Sequence, residues 1–149
     1  MANERTLVLL KPDAVQRGVI GPILTRYEQR GLKIVALKLA TITEEQARKH
    51  YSEHVEKPFF PPLLKFITSG PSVQLVLEGP NAISIVREIN GKTNPAATAP
   101  GSIRADFGLT IDFNLVHGSD GDTAAEKEIA IYFDNSELVD YTRAIDAWI

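Results

Sequence analysis

Residues 114–121 read Asn-Leu-Val-His-Gly-Ser-Asp-Gly and set His117 where an apolar run gives way to a polar turn, the setting of a surface cleft. Imidazole is nucleophilic at neutral pH, unlike an unactivated hydroxyl, so it can accept a transferable group covalently. A turn histidine that merely satisfies backbone groups is the alternative, and one residue does not decide between them. Glu128 flanks an apolar face made by Ala125, Ile129 and Phe133. A carboxylate at such a border can orient an imidazole and stabilise its charged form. Read alone, it is a solvated glutamate beside Lys127. Three cations stand at notable places: Lys11 ahead of Pro12, Arg87, and Arg104 after a proline-rich stretch. Singly, each reads as a surface charge. Converging on one cleft, they would clamp the phosphates of a phosphoryl-transfer reaction.

Other features carry less. Phe59 and Phe60 stand between Pro58 and Pro61. An exposed ring there offers a stacking face for any nucleobase, and a buried one anchors the loop to the core. Gly91-Lys92-Thr93 resembles the end of a phosphate-binding loop, but that loop needs a glycine where Val86 stands, and it follows a strand instead of a helix. His50 and His54 are four apart, a spacing that can aim two ligands at one metal. No third ligand is evident beyond Glu53 and Glu56, so both histidines read as surface residues.

The elements that must position these groups alternate between strand and helix along 149 residues, enough chain for one domain, 1–149, with a sizeable core. Thr6–Leu10 is continuously apolar and predicts a strand buried on both faces. Helices are expected over Ile20–Arg30, closed by Gly31, from Thr43 with Gln46 in a capping box, over Leu63–Thr68, over Asn81–Asn90, and over Thr123–Phe133 with a Thr123/Glu126 capping box. Further strands are expected at Leu32–Thr41, Val73–Leu77 and Asn114–His117, with a loop over 91–102. The sum is an α+β sandwich of βαββαβ type, helices on one face of a four-stranded antiparallel sheet. The chain has no cysteine, so neither disulfide nor thiolate chemistry is open to it. With no signal-peptide pattern and no apolar stretch of bilayer length, the expected place is the cytoplasm, without membrane partners. A net charge of -3 and the lack of a basic stripe argue against a nucleic-acid-binding regulator. A histidine-based phosphatase is the other rival reading.

Taken together, 6–18 (Thr-Leu-Val-Leu-Leu-Lys-Pro-Asp-Ala-Val-Gln-Arg-Gly), 57–61 (Lys-Pro-Phe-Phe-Pro), 93–96 (Thr-Asn-Pro-Ala), 102–107 (Ser-Ile-Arg-Ala-Asp-Phe) and 114–120 closely resemble the nucleoside diphosphate kinases. The resemblance implies a ferredoxin-like fold and a ping-pong reaction through phosphorylated His117, using its Nδ1, with broad base tolerance. By the same resemblance, Lys11 would meet the transferring phosphate and the sugar hydroxyl, with Tyr51 beside it. Phe59 would stack on the base. Arg87, Thr93 and Arg104 would bind the other phosphates, Asn114 the sugar, and Ser119 and Glu128 would support the histidine. Mg2+ would be held mainly by nucleotide phosphates and water, with no direct protein ligand. The partners implied are nucleoside tri- and diphosphates and further copies of the chain, as a homo-oligomer built from dimers. The tail Glu137–Ile149, with Tyr141 and Trp148, resembles the longer tails of hexameric members, which implies a hexamer over a tetramer. Many members carry serine where this chain has Gly121.

Overall fold

The structure is a computed structural model and describes residues 3–149. Strand β1, Asn3–Leu10, dictates the rest: Leu7 to Leu10 are all completely buried. Successive strand residues point to opposite faces, so both faces of the sheet around β1 must be covered. β1 pairs antiparallel with β3, Pro71–Pro80, on one side and with β4, Val116–Gly118, on the other. β2, Lys33–Thr41, closes the order β2-β3-β1-β4.

Among the described residues, seven α-helices surround this sheet: α1, Pro12–Gln16; α2, Ile20–Gln29; α3, Glu44–His50; α4, Phe60–Ile67; α5, Ala82–Asn90; α6, Ile103–Phe107; and α7, Asp122–Tyr132. Val8, Leu10, Leu75 and Leu77 pack on Ile23 and Tyr27 of α2 and Ala82 and Val86 of α5. Leu7, Leu9 and Val76 pack on Ala47 of α3, Ile67 of α4 and Tyr132 of α7. The fold is therefore the expected α+β, ferredoxin-like one, with one correction. Helices cover both faces of the sheet, as a strand apolar on both sides requires. Among the described residues, no helix is long and apolar enough to cross a membrane.

Local chemistry explains the helix ends. Gly31, at φ +103, follows the C-cap Arg30. Its N–H donates to the Glu28 carbonyl at 3.0 Å and that of Leu32 to the Tyr27 carbonyl at 3.2 Å, the reciprocal pair of a Schellman ending. Thr43 and Gln46 form the expected capping box. α4 starts three residues earlier than Leu63, because Pro61 and Pro62 sit in its first turn, where a missing N–H costs nothing. β4 is shifted to Val116–Gly118, since Leu115 takes a positive φ of 74° and cannot continue a strand. Gly118 has to be glycine: a Cβ there would meet Val86 at 2.9 Å and Asn90 at 3.1 Å, where α5 presses on β4. The helix α1 and the helix α6, capped by Ser102, were not expected; both are single turns too short to show a period.

The Thr123/Glu126 capping box is absent. α7 begins at Asp122, and its N-cap is Gly121 in extended backbone with no side chain to cap it. Open space surrounds the place where a Gly121 Cβ would stand. Gly121→Ser should therefore stabilise the fold by a few tenths of a kcal/mol, its hydroxyl accepting from a first-turn N–H. Chemical denaturation of the single variant checks this, and a loss of stability would contradict it.

Candidate active site

A cleft of about 900 Å³ opens at the end of β1 and β4. Lys11, Tyr51, Arg87, Thr93, Arg104, Asn114, His117 and Glu128 all line it, so the structure brings together residues scattered over 118 positions. Ser119 is fully buried behind them. Phe59 stands at the rim, 49% exposed, with its ring 5.4 Å from that of His54, which does line the cleft. Its neighbour Phe60 is buried, so the two rings divide the exposed and anchoring readings between them.

The histidine is oriented by a carboxylate. Nε2 of His117 lies 2.8 Å from Oε1 of Glu128, which also accepts from the Ser119 hydroxyl at 2.7 Å. Burial by itself would raise the Glu128 pKa, but the hydrogen bond and charge of His117, with help from His50 and Ser119, hold it below the usual carboxylate value. An ionised carboxylate only accepts, so Nε2 must be the donor. In the neutral ring, Nδ1 is then the nitrogen with a free lone pair.

His50 completes this group, and here the surface reading of His50 fails. Its side chain is 1% exposed, because α3 packs directly against α7. Nδ1 of His50 lies 2.7 Å from the Tyr132 hydroxyl, and Nε2 faces Oε2 of Glu128 at 3.6 Å. Tyr51 stacks on it at 4.4 Å, nearly parallel. Burial, with the nearby His117, pushes His50 down to about 3 despite Glu128, so its ring is neutral at any working pH. α3 stops at His50, so His54 leaves the helix for a 3-10 turn over Ser52–His54 and the two are not a helical pair.

The cations are held by backbone geometry. Lys11 is the extended N-cap of α1, as Pro12 requires, and its ammonium donates to Oδ1 of Asn114. Burial, with Arg104 nearby, pushes Lys11 down to about 8, against the pull of Asp13. Arg104 donates to the carbonyls of Val116 at 2.6 Å, Gly91 at 2.7 Å and Asn114 at 3.2 Å, which ties two loops and β4 to one guanidinium. Arg87 reaches the Gly118 carbonyl at 3.4 Å, and the Asn114 amide donates to the Thr93 carbonyl at 2.9 Å. Asp13, quoted within the motif at 6–18 but given no role, fixes the strained Leu115. Its Oδ2 accepts from the Leu115 N–H at 3.0 Å, while the Lys11 N–H donates to the Leu115 carbonyl at 2.8 Å. Asp13 and Tyr132 were missed as site residues, and His50, weighed as a metal ligand with His54, was read as a surface residue.

A carboxylate-held imidazole faces clustered cations across a cleft on a ferredoxin-like sheet, an arrangement of the kind that phosphotransferases use. A family model described as nucleoside diphosphate kinase matches residues 4–138. The chain belongs to the nucleoside diphosphate kinase family and is an enzyme of that activity. Relatives of that name include one from Desulforamulus reducens, 53% identical over 98% of both chains, and one from Methanosarcina barkeri, 56% identical over 94% of both. Among solved structures, a halophilic nucleoside diphosphate kinase from Halobacterium salinarum in complex with CDP superposes with a TM-score of 0.96 at 51% identity, covering 99% of this chain and 98% of that one.

The Lys11 pKa gives a testable pH dependence. The ammonium is charged below about 8 and neutral above it, so the cleft loses a positive charge as pH rises through that value. Because kcat/KM reports the groups of the free enzyme, it should fall on the alkaline side of about 8. Lys11→Met should lack that limb in a pH–rate profile, at lower activity throughout. An alkaline limb unchanged in Lys11→Met would assign it to another group.

Proposed function

We propose that this single domain, residues 1–149, transfers the terminal phosphate of a nucleoside triphosphate to a nucleoside diphosphate in two steps through His117. The observation that carries the reading is the His117–Glu128 hydrogen bond, which leaves Nδ1 as the attacking atom. In the first step the Nδ1 lone pair bonds to the γ-phosphorus while the bond to the bridging oxygen breaks, releasing the diphosphate. Positive charge develops on the ring, and the Glu128 carboxylate stabilises it through Nε2–H. In the second step a diphosphate oxygen attacks the same phosphorus and the Nδ1–P bond breaks. Donor and acceptor thus occupy one cleft in turn.

Lys11, Arg87, Arg104 and Thr93 neutralise the charge on the phosphate oxygens as it spreads. The Lys11–Asn114 pair receives the sugar hydroxyl. Burial and the Glu128 charge raise the Tyr51 pKa, so it stays protonated and acts as a donor beside them. Ser119 acts one step back, by holding Glu128. Phe59 offers a π-face and no base-edge donors, which supports broad base tolerance. Among the described residues the cleft gathers cations and amide groups with the separate carboxylates of Glu53 and Asp120, and its dense ligand-type grouping is two imidazoles with one carboxylate. That set fits Mg2+ brought in on phosphate oxygens and water better than an all-oxygen protein cage. When bound, Mg2+ neutralises and aligns those oxygens. The activity belongs in the cytoplasm, where its nucleotide substrates are.

The test is γ-labelled ATP followed by each of four nucleoside diphosphates. An acid-labile phosphoenzyme should form, and its label should move to ADP, GDP, CDP and UDP with kcat/KM values within about two orders of magnitude. His117→Ala should lose both steps. Label lost to water would mean a phosphatase, and a tenth of parent activity in His117→Ala would refute the nucleophile.

The assembly is a homo-oligomer built from dimers, with a hexamer favoured. Two separate apolar surfaces support this: Leu37 and Leu39 on the edge strand β2, and Leu109, Ile111 and Phe113 before β4, all about half exposed or more. A closed hexamer made of three dimers needs two different contacts per chain, a twofold and a threefold one. Light scattering should return a mass near six times 16.4 kDa; near four times would favour a tetramer.

A further inference from the structure

We propose that His50, His117 and Glu128 form a binding site for a divalent transition ion of the Zn2+ kind, and that its occupancy disables the histidine. The three ligand atoms lie within 4.8 Å of one another. The Nε2 of His117 is 2.8 Å from Glu128 Oε1, and the Nε2 of His50 is 3.6 Å from Oε2. Ligand atoms about 2 Å from a tetrahedral ion stand roughly 3.4 Å apart, so shifts of about an ångström suffice. Two imidazoles and a carboxylate are a donor set for zinc, with a fourth position left to a molecule in the cleft that all three residues line. Mg2+, which prefers six oxygens, competes poorly for them.

A second observation points the same way. His50 Nε2 is buried without a hydrogen-bond partner, although its side chain is almost wholly enclosed. The opposite nitrogen, Nδ1, sits 2.7 Å from the Tyr132 hydroxyl, which can accept its proton and aim Nε2 at an ion. Metal-bound histidines are usually held in this way.

Inhibition follows from where the His117 proton goes. Without an ion, the proton is on Nε2 and the lone pair on Nδ1. An ion on Nε2 needs that lone pair, so the proton moves to Nδ1 and the nucleophile disappears, with no net change in protons on the ring. The converse also holds. A phosphoryl group on Nδ1 leaves no place for that proton, so the phosphoenzyme must release it to bind the ion. The ion therefore discriminates against the phosphoenzyme. This inhibitory half rests on the transfer reading above; the binding half does not.

Titration calorimetry with ZnCl2 on the unphosphorylated full chain tests the site, and the visible absorption of Co2+ reports its ligands. One ion per chain should bind. His50→Gln should weaken it at least about tenfold, and Tyr132→Phe by about tenfold through the outer partner alone, which covers the event that His50→Gln fails to fold. His54→Gln should stay within about twofold, since the inferred set leaves that residue out. Phosphoenzyme formation from Mg2+–ATP should slow as buffered free Zn2+ rises, in the parent chain and not in His50→Gln. Equal affinity in His50→Gln and the parent, or a loss of binding in His54→Gln, would overturn the site. Binding without any phosphoenzyme under any condition would instead remove the transfer reading and leave the site standing.

Discussion

A carboxylate taken out of water must be met by donors or it gives up its charge. Glu128 is met by two donors, His117 on β4 and the Ser119 hydroxyl, while the His50 ring on α3 encloses it at 3.6 Å. Ser119 is itself anchored to β1, accepting from the Leu7 N–H at 3.2 Å. One buried charge thus joins α3 and α7 to strands β1 and β4. Without it, the imidazole loses the partner that decides which nitrogen holds its proton. The stacking of Tyr51 on His50 and the closeness of α3 to α7 follow from the same need to enclose that charge.

Around this centre the molecule accepts costs that a structure built only for stability would avoid. Lys11 keeps its ammonium in a place where burial works against the charge. Leu115 sits at positive φ, a conformation that costs a bulky residue of order 1–3 kcal/mol. It persists because its N–H donates to the Asp13 carboxylate, its carbonyl accepts from the Lys11 N–H, and it is completely buried. The result is that Asn114 and His117, on either side of Leu115, face the same cleft. Local strain of this kind is found where surrounding structure over-determines a functional geometry.

Much of this was legible in the chain. The apolar run at 6–10, the Gly31 ending and the Thr43/Gln46 box specify β1, α2 and α3 through nearest-neighbour rules. His117 and Lys11 stood out because each sits where a strand stops. The coverage of both sheet faces was implicit in β1 itself, since a strand apolar on both sides needs two partners. Other features were not local. Asp13 and Leu115 meet across 102 positions, and nothing near either residue signals the bond. His50 looked like a surface residue because its burial comes from α7, which the sequence places far away. Gly121 misled for a different reason: Thr123 and Glu126 offer a plausible box, but an extended glycine starts the helix earlier.

The register of β4 has a bearing on how the protein is made. Val116, His117 and Gly118 pair with Leu10, Leu9 and Val8, so the last strand of the sheet docks beside the first. Contacts that bridge most of a chain form late, because the intervening loop must be closed before they reward it. On a ribosome, N-terminal segments emerge first, and β1 can pair with β3 but must wait for more than a hundred residues before β4 exists on its other side. Until then there is no carboxylate beside the histidine and no ring of cations ahead of it. An unfinished chain therefore lacks the His117–Glu128 hydrogen bond, and the cleft is assembled only with the completed sheet.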